Sequence, residues 1–217
     1  MKVTVRHTRD SDINSIISLQ QRVYPQIPPW HEAVLRHQLE VFPQGQIVAE
    51  LNGELVGAAS SLIVMWDEWQ VEHTWQEITA RGSFNTHNPM GRTLYGAEVF
   101  VHPHKRGAGI GRALYQARRQ VCRKMNLQRI IACGRLPGYH RYAAQMSAQL
   151  YAQKVVWGDI RDPVLSFQLH HGFHFCSAVG GYIPEDLDSL GYAALIVWLN
   201  PYYHENKPTR LHQGDIL

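Results

Sequence analysis

The run from Leu94 to Met125, LYGAEVFVHPHKRGAGIGRALYQARRQVCRKM, constrains the fold more than any other part of the chain. Its first eight residues have the composition of a strand. Its last fifteen place Leu114, Ala117, Val121 and Met125 on roughly one helical stripe. Between the two segments Gly107, Gly109 and Gly111 fall within five positions. Glycine at such a junction means that backbone comes very close to something, or turns where a Cβ would clash. A dinucleotide-binding junction needs GxGxxG, and a P-loop needs Gly-Lys followed by Ser or Thr. Here the third glycine is one place early and the Lys-Ser/Thr pair is missing. Two readings remain. One is a tight turn among solvated charges. The other is a helix amino end that cradles a polyanion with its unpaired N–H groups and its dipole, flanked by Arg106 and Arg112 with His104 and Lys105 just outside.

The rest of the chain supplies a sheet for this junction to sit in. Val3 and Val5 alternate like a strand, and Asp10, Ser11 or Asp12 can cap a helix carrying Ile13, Ile16, Ile17 and Leu19. In GQIVAELNGELVGAASSLIV two apolar runs flank Asn52-Gly53, a strong hairpin signal. Residues 66–94 are polar and aromatic without the repetition of a linker, so they read as an ordered insertion. Beyond the junction, QRIIACG reads as a buried strand and YHRYAAQMSAQLYAQKVV as a helix. DPVLSFQLHHGF reads as a short helix with Pro163 in its first turn. HFCSAVGGYI and GYAALIVWL read as two further strands, and residues 201–217 as a peripheral tail. At 217 residues this is one domain with a sizeable core. Three scattered cysteines give no CxxC pair and no disulfide framework. A net charge of +3 suits an anionic ligand but is too small to argue for nucleic acid. No apolar run reaches the roughly 20 residues of a membrane span, and the first residues do not read as a signal peptide, so the expected setting is the cytoplasm.

VFVHPHKRGAGIGRALY resembles the central motif of the GNAT superfamily of N-acetyltransferases, with Arg106, Gly109 and Gly111 at the motif positions after Val101-His102-Pro103. The order of elements over residues 1–200 agrees. A narrower likeness, in HTWQEITARGSFNTHNPMGRTLYGAEVFVHP, GRLPGYHRYA and RDPVLSFQLHHGF, is to GNAT domains found joined to carbon–nitrogen (nitrilase-like) hydrolases. The resemblance implies a mixed α/β domain, with a central twisted sheet splayed between two parallel strands and helices on both faces. It also implies acetyl-CoA as co-substrate and no metal. The pantetheine arm would pair with the strand Val99, Phe100 and Val101. The pyrophosphate would rest on the amides of Arg106, Gly107, Ala108, Gly109, Ile110, Gly111 and Arg112. A small-molecule or peptide amine would attack the thioester directly, and a homodimer or a carbon–nitrogen hydrolase partner is compatible with the family.

The proton-transfer groups are less plain. Where many members of the family carry a tyrosine four residues before Gly-Phe, this chain has Gln168, and Asp162 stands near the place of a frequent asparagine. Tyr139 or solvent would then protonate the thiolate. Glu98 is the first candidate base; strand alternation puts it on the face of Gly96, Phe100 and His102, opposite Ala97, Val99 and Val101. His140 is the second candidate and His87 a third, because imidazole titrates near neutrality. Each could equally be a salt-bridged or surface group. The His102/His104 and His170/His171/His174 spacings lack the carboxylates of a metal site. The arginines of QARRQVCRK read as a solvated helix face, and Trp66, Trp69 and Trp75 as either acceptor pocket or core. The alternative to an enzyme is a catalytically weak acyl-CoA-binding module that serves a partner.

Overall fold

The computed structural model describes residues 2–25, 28–69, 71–210 and 217. Its strands are β1 (Val3–His7), β2 (Gln46–Leu51), β3 (Glu54–Val64), β4 (Thr93–Val101), β5 (Arg129–Arg135), β6 (His174–Val179) and β7 (Ala193–Leu199). They form one mixed sheet in the order β1-β2-β3-β4-β5-β7-β6. Every neighbouring pair is antiparallel except β4 and β5. The β2–β3 hairpin turns at Asn52 and Gly53, both in the left-handed region with φ of 53° and 81°, as Asn-Gly allows.

Among the described residues six α-helices cover the sheet: α1 (Ile13–Val23), α2 (Glu32–Val41), α3 (Trp75–Ile78), α4 (Ile110–Lys124), α5 (Ala148–Trp157) and α6 (Leu165–His170). The apolar stripe of α4 packs with Ile47, Ala49, Val56, Ala59, Leu94, Ile130 and residues of α5 and α6 on one face. On the other face α1 and α2 bury Ile13, Ile16, Leu19 and Leu35 against Val48, Ala58 and Phe100. Beside them the segment between β3 and β4 packs Ile78 and Phe84 against Leu62, Val64, Tyr95 and Ile131.

Two local readings change. The YHRY segment is a 3-10 turn followed by irregular chain, and α5 starts only where Ser147 caps it through a hydrogen bond from the Leu150 amide. Pro163 stands just ahead of α6, because Asp162 performs the capping. The fully buried Asp162 carboxylate accepts from the Val164 and Leu165 amides at 2.9 Å each, from the Gly138 amide at 3.0 Å and from the Tyr151 hydroxyl at 2.8 Å. The tail is tied down as far as Arg210: the Asn126 amide donates to the His204 and Lys207 carbonyls, and the Arg210 amide to the Met125 carbonyl.

Replacing Asp162 with alanine leaves those four donors unpaired in the interior. The expected loss is about 2–4 kcal/mol, read as a lower urea midpoint at unchanged m-value. A variant as stable as the parent would show that water replaces the carboxylate there.

Candidate functional site

The glycine junction resolves into two different needs. Gly107 and Gly109 have φ of 84° and 80°, and a Cβ at either would meet nothing within 4 Å. They are there for backbone conformation, and they leave open space above the loop. Gly109 caps α4 without any side-chain hydrogen bond, so the first-turn amides of α4 face that space. Arg106 and Arg112 are exposed beside it. Gly111 answers a packing need, since a Cβ there would stand 3.0 Å from Cζ of Phe167.

Upstream, β4 and β5 are paired from Thr93↔Arg129 only as far as Gly96↔Ala132, and then part. The parting coincides with a bulge. Ser61 of β3 faces Gly96 and Ser60 faces Glu98, which leaves Ala97 as an extra residue on β4. The bulge is held from both sides. Trp75 of α3, its ring stacked at 6.2 Å on Trp30, donates its indole N–H to the Ala97 carbonyl at 3.0 Å. From α4 the buried Arg118 donates to the Glu98 carbonyl at 2.6 Å, the Ser60 carbonyl at 3.1 Å and the Ser61 hydroxyl at 3.0 Å. Arg118 is therefore no part of a solvated face. Its position one turn from Leu114 and Val121, on the apolar stripe, was the available signal. Arg119 and Arg123 likewise lie over aromatic rings, Trp198 for both and Tyr202 for Arg123.

The bulge also corrects the face of Glu98. Gly96 turns toward Arg118, whose Nη1 lies 2.9 Å from where a Cβ would be. Ala97 and Glu98 both lie on the opposite side: Ala97 packs with Tyr95 and Leu62, and Glu98 meets Tyr24 at the end of α1. The half-buried Glu98 carboxylate accepts through Oε1 from the Tyr24 hydroxyl at 3.3 Å and from the Val99 amide at 3.1 Å. Burial pushes its pKa up to about 7, while the Val99 N–H, the Tyr24 hydroxyl, Arg135 and Arg118 hold it down. It is a carboxylate that gains and loses a proton near neutrality, as a general base requires. Tyr24 carried no sequence signal of its own; it is half-buried against Phe100, edge to face at 6.3 Å.

The other candidates lie elsewhere. The exposed His140 ring directs Nδ1 to the Pro137 and Asp188 carbonyls at 3.0 Å each. The Asp188 side chain in turn lies 3.6 Å from Arg135. His87 uses Nδ1 to accept the Ile63 amide at 3.1 Å and stacks on Phe42, and burial takes its pKa down to about 4. It is a structural, neutral ring. The Tyr139 hydroxyl is given to the Met146 carbonyl at 3.2 Å. Gln168 is buried against Gly134, with its amide 3.2 Å from the Tyr115 hydroxyl. Trp66 and Trp69 set their ring edges against the buried His73, which meets Tyr95, itself 2.7 Å from the Tyr182 hydroxyl. Among the described residues no three His, Cys, Asp or Glu side chains gather to hold a metal.

Arg118→Lys keeps the charge and loses the fork that joins β3 to the bulge. It is expected to lower stability by about 1–3 kcal/mol in urea unfolding. Unchanged stability would show that the bulge holds without it.

The sequence profile of the acetyltransferase (GNAT) family matches residues 13–146. The uncharacterized N-acetyltransferase YkwB of Bacillus subtilis is 37% identical over 207 residues, covering 93% of this chain and 90% of YkwB. The probable hydrolase YhcX of the same organism is 43% identical over 213 residues, covering 98% of this chain; the chain spans 42% of the length of YhcX. Among solved structures, the GphF GNAT-like decarboxylase in complex with isobutyryl-CoA superposes with a TM-score of 0.75 at 24% identity, over 91% of this chain and 99% of that one. With its parted β4 and β5, its glycine-capped α4 and these relatives, the chain belongs to the GNAT acetyltransferase family.

Proposed function

We propose that the protein is an acyltransferase that moves acetyl from acetyl-CoA to an amine by direct attack. The observation that carries this reading is one continuous track. The edge of β4 left open after Gly96 runs through Val99 and Val101, past the turn at Pro103–Lys105, into the amino end of α4, whose Gly109 cap adds no side-chain acceptor. An open strand edge pairs with the amides of a pantetheine arm, and a helix amino end with two arginines receives a pyrophosphate. Glu98 stands at the inner end of that track. In its ionised form it takes a proton from the acceptor ammonium. The neutral amine then attacks the carbonyl carbon, the C–N bond forms and the C–S bond breaks. The attacking nitrogen, cationic once the C–N bond has formed, gives up its second proton to solvent, and the departing thiolate takes one from solvent, since Gln168 has none to give and Tyr139 is committed to Met146. A partner of the hydrolase class, joined or separate, belongs to the same reading, because YhcX continues well beyond the matched region.

A second reading is decarboxylation of an acyl-CoA that carries its own carboxylate. It is favoured by the fit to GphF and by the missing helix tyrosine at Gln168. Release of free thiol with an amine panel, against release of carbon dioxide from malonyl-CoA without one, separates the two.

Acetyl-CoA at a hundredfold excess over its Kd is expected to stabilise the fold by about 2.7 kcal/mol, a Tm shift of roughly 5–10 °C. An unmoved melting curve would remove the cofactor reading altogether. kcat/KM for acetyl-CoA should rise as pH passes through about 7, because only free enzyme with ionised Glu98 goes on to accept a proton. Glu98→Gln should lose about 100-fold or more and flatten that rise. A Glu98→Gln enzyme with the parent profile would clear Glu98 of the role.

A further inference from the structure

Main-chain pairing along β4 leaves the Val99 amide in an unusual place. The His102 amide bonds to the Val56 carbonyl at 2.8 Å, and Phe100 and Glu98 pair in step with Ala58 and Ser60. The even-numbered residues thus turn their polar groups toward β3, and Val99 and Val101 turn theirs away, to the side where β5 has already parted. A backbone N–H there needs an acceptor. The Val99 amide finds it in Oε1 of the preceding residue, Glu98, at 3.1 Å. The carboxylate takes the place of the missing strand.

Resting on the acyl-CoA reading above, we propose that Glu98 is a placeholder on the cofactor edge. A carbonyl of the incoming acyl-CoA takes over the Val99 N–H and displaces the carboxylate. Tyr24, whose hydroxyl donates to the same oxygen at 3.3 Å, is the positioning residue that keeps the released carboxylate at the site. Cofactor binding therefore makes Glu98 a stronger base with a higher proton affinity: it loses one donor that favours its charged form when the thioester is in place. The groups that remain around it are Tyr24 from α1, Arg118 from α4, Arg135 from β5 and Tyr182 from the chain between β6 and β7. None of these supplies a replacement main-chain donor. Loss of the N–H bond raises the proton affinity of Glu98, so acyl-CoA binding takes up protons wherever free Glu98 is ionised. By the same linkage affinity weakens as pH rises above about 7.

The test is titration calorimetry of the whole chain with acetyl-CoA at pH 8, in two buffers of different ionisation enthalpy, for the parent, Glu98→Gln and Tyr24→Phe. The parent should take up about half a proton or more beyond the value for Glu98→Gln, whose own value accounts for groups on the ligand. Its Kd should weaken by up to about tenfold per pH unit above neutrality, while that of Glu98→Gln changes less. Tyr24→Phe should bind acetyl-CoA within about twofold of the parent yet move the midpoint of the pH–rate profile upward. Equal proton uptake in parent and Glu98→Gln, with binding intact, overturns the placeholder and leaves the cofactor reading standing. Absence of binding in the parent overturns the cofactor reading itself. A Tyr24→Phe midpoint equal to the parent's overturns the positioning role.

Discussion

Everything that distinguishes this sheet follows from the separation of two parallel strands after their fourth pair, Gly96↔Ala132. Parallel strands do not part without a cause, because alternate residues beyond the parting lose their main-chain partners across the gap. The cause here is local. One extra residue, Ala97, shifts the β4 ladder against β3, and the bulged strand bends away. Arg118 reaches through the α4 side of the sheet to bind carbonyls on both strands at that point. Its guanidinium also fills the space beside Gly96, where a side chain would have kept it out. Trp75 closes the bulge from the other face. Bulge, arginine, glycine and indole form one device, and the open edge of β4 is its product.

The same device sets the electrostatics. Arg118 is buried without a carboxylate in hydrogen-bond contact; it is satisfied by two carbonyls and a hydroxyl, and burial works against its charge. A buried cation of this kind attracts a nearby anion, yet Glu98 still has its pKa raised, so the desolvation of Glu98 outweighs the pull of Arg118 and Arg135. Across the cleft Arg135 is largely spent on Asp186, accepting partner to its Nε at 2.6 Å. The outcome is a carboxylate balanced between two protonation states, which a freely paired ion would not be.

Much of this was legible in the sequence. Asn52-Gly53 placed its hairpin because only that dipeptide class turns tightly with positive φ at both positions. The strand–glycine–helix spacing located the loop, and Gly107 and Gly109 have the conformations it needs. What period-2 reading could not see was the bulge. Adding Ala97 reverses the face of every residue on one side of it, so Gly96 and Glu98 part company although they are two apart. Composition also misplaced Arg118, because arginines in a helix are usually solvated. The stripe Leu114, Ala117, Arg118, Val121 carries the information, but only if a charge is allowed on an apolar face. Tyr24 lies seventy-four positions from Glu98, and nothing local in the sequence joins them.

The wall opposite Glu98 decides which kind of acyl transfer such a cleft favours. Cys133, the first residue of β5 beyond the last pair with β4, is a thiol in the place where an enzyme nucleophile would be useful. A covalent acyl-enzyme would need it as thiolate. Burial instead pushes its pKa up to about 12, and its neighbour His73, 3.9 Å away, already meets Tyr95 at 3.0 Å. The Tyr95 and Tyr182 phenols, both buried and both raised, add no cation that would draw the proton off. At neutral pH the thiol keeps its proton and serves as a small apolar wall. The Glu98 carboxylate, by contrast, has its pKa raised to about 7, and on the reading proposed above it takes the proton brought in by the acceptor. On that reading, a thiol whose pKa burial has raised, beside a carboxylate poised near neutrality, fits the proposed direct attack by a deprotonated amine better than an acyl intermediate on Cys133.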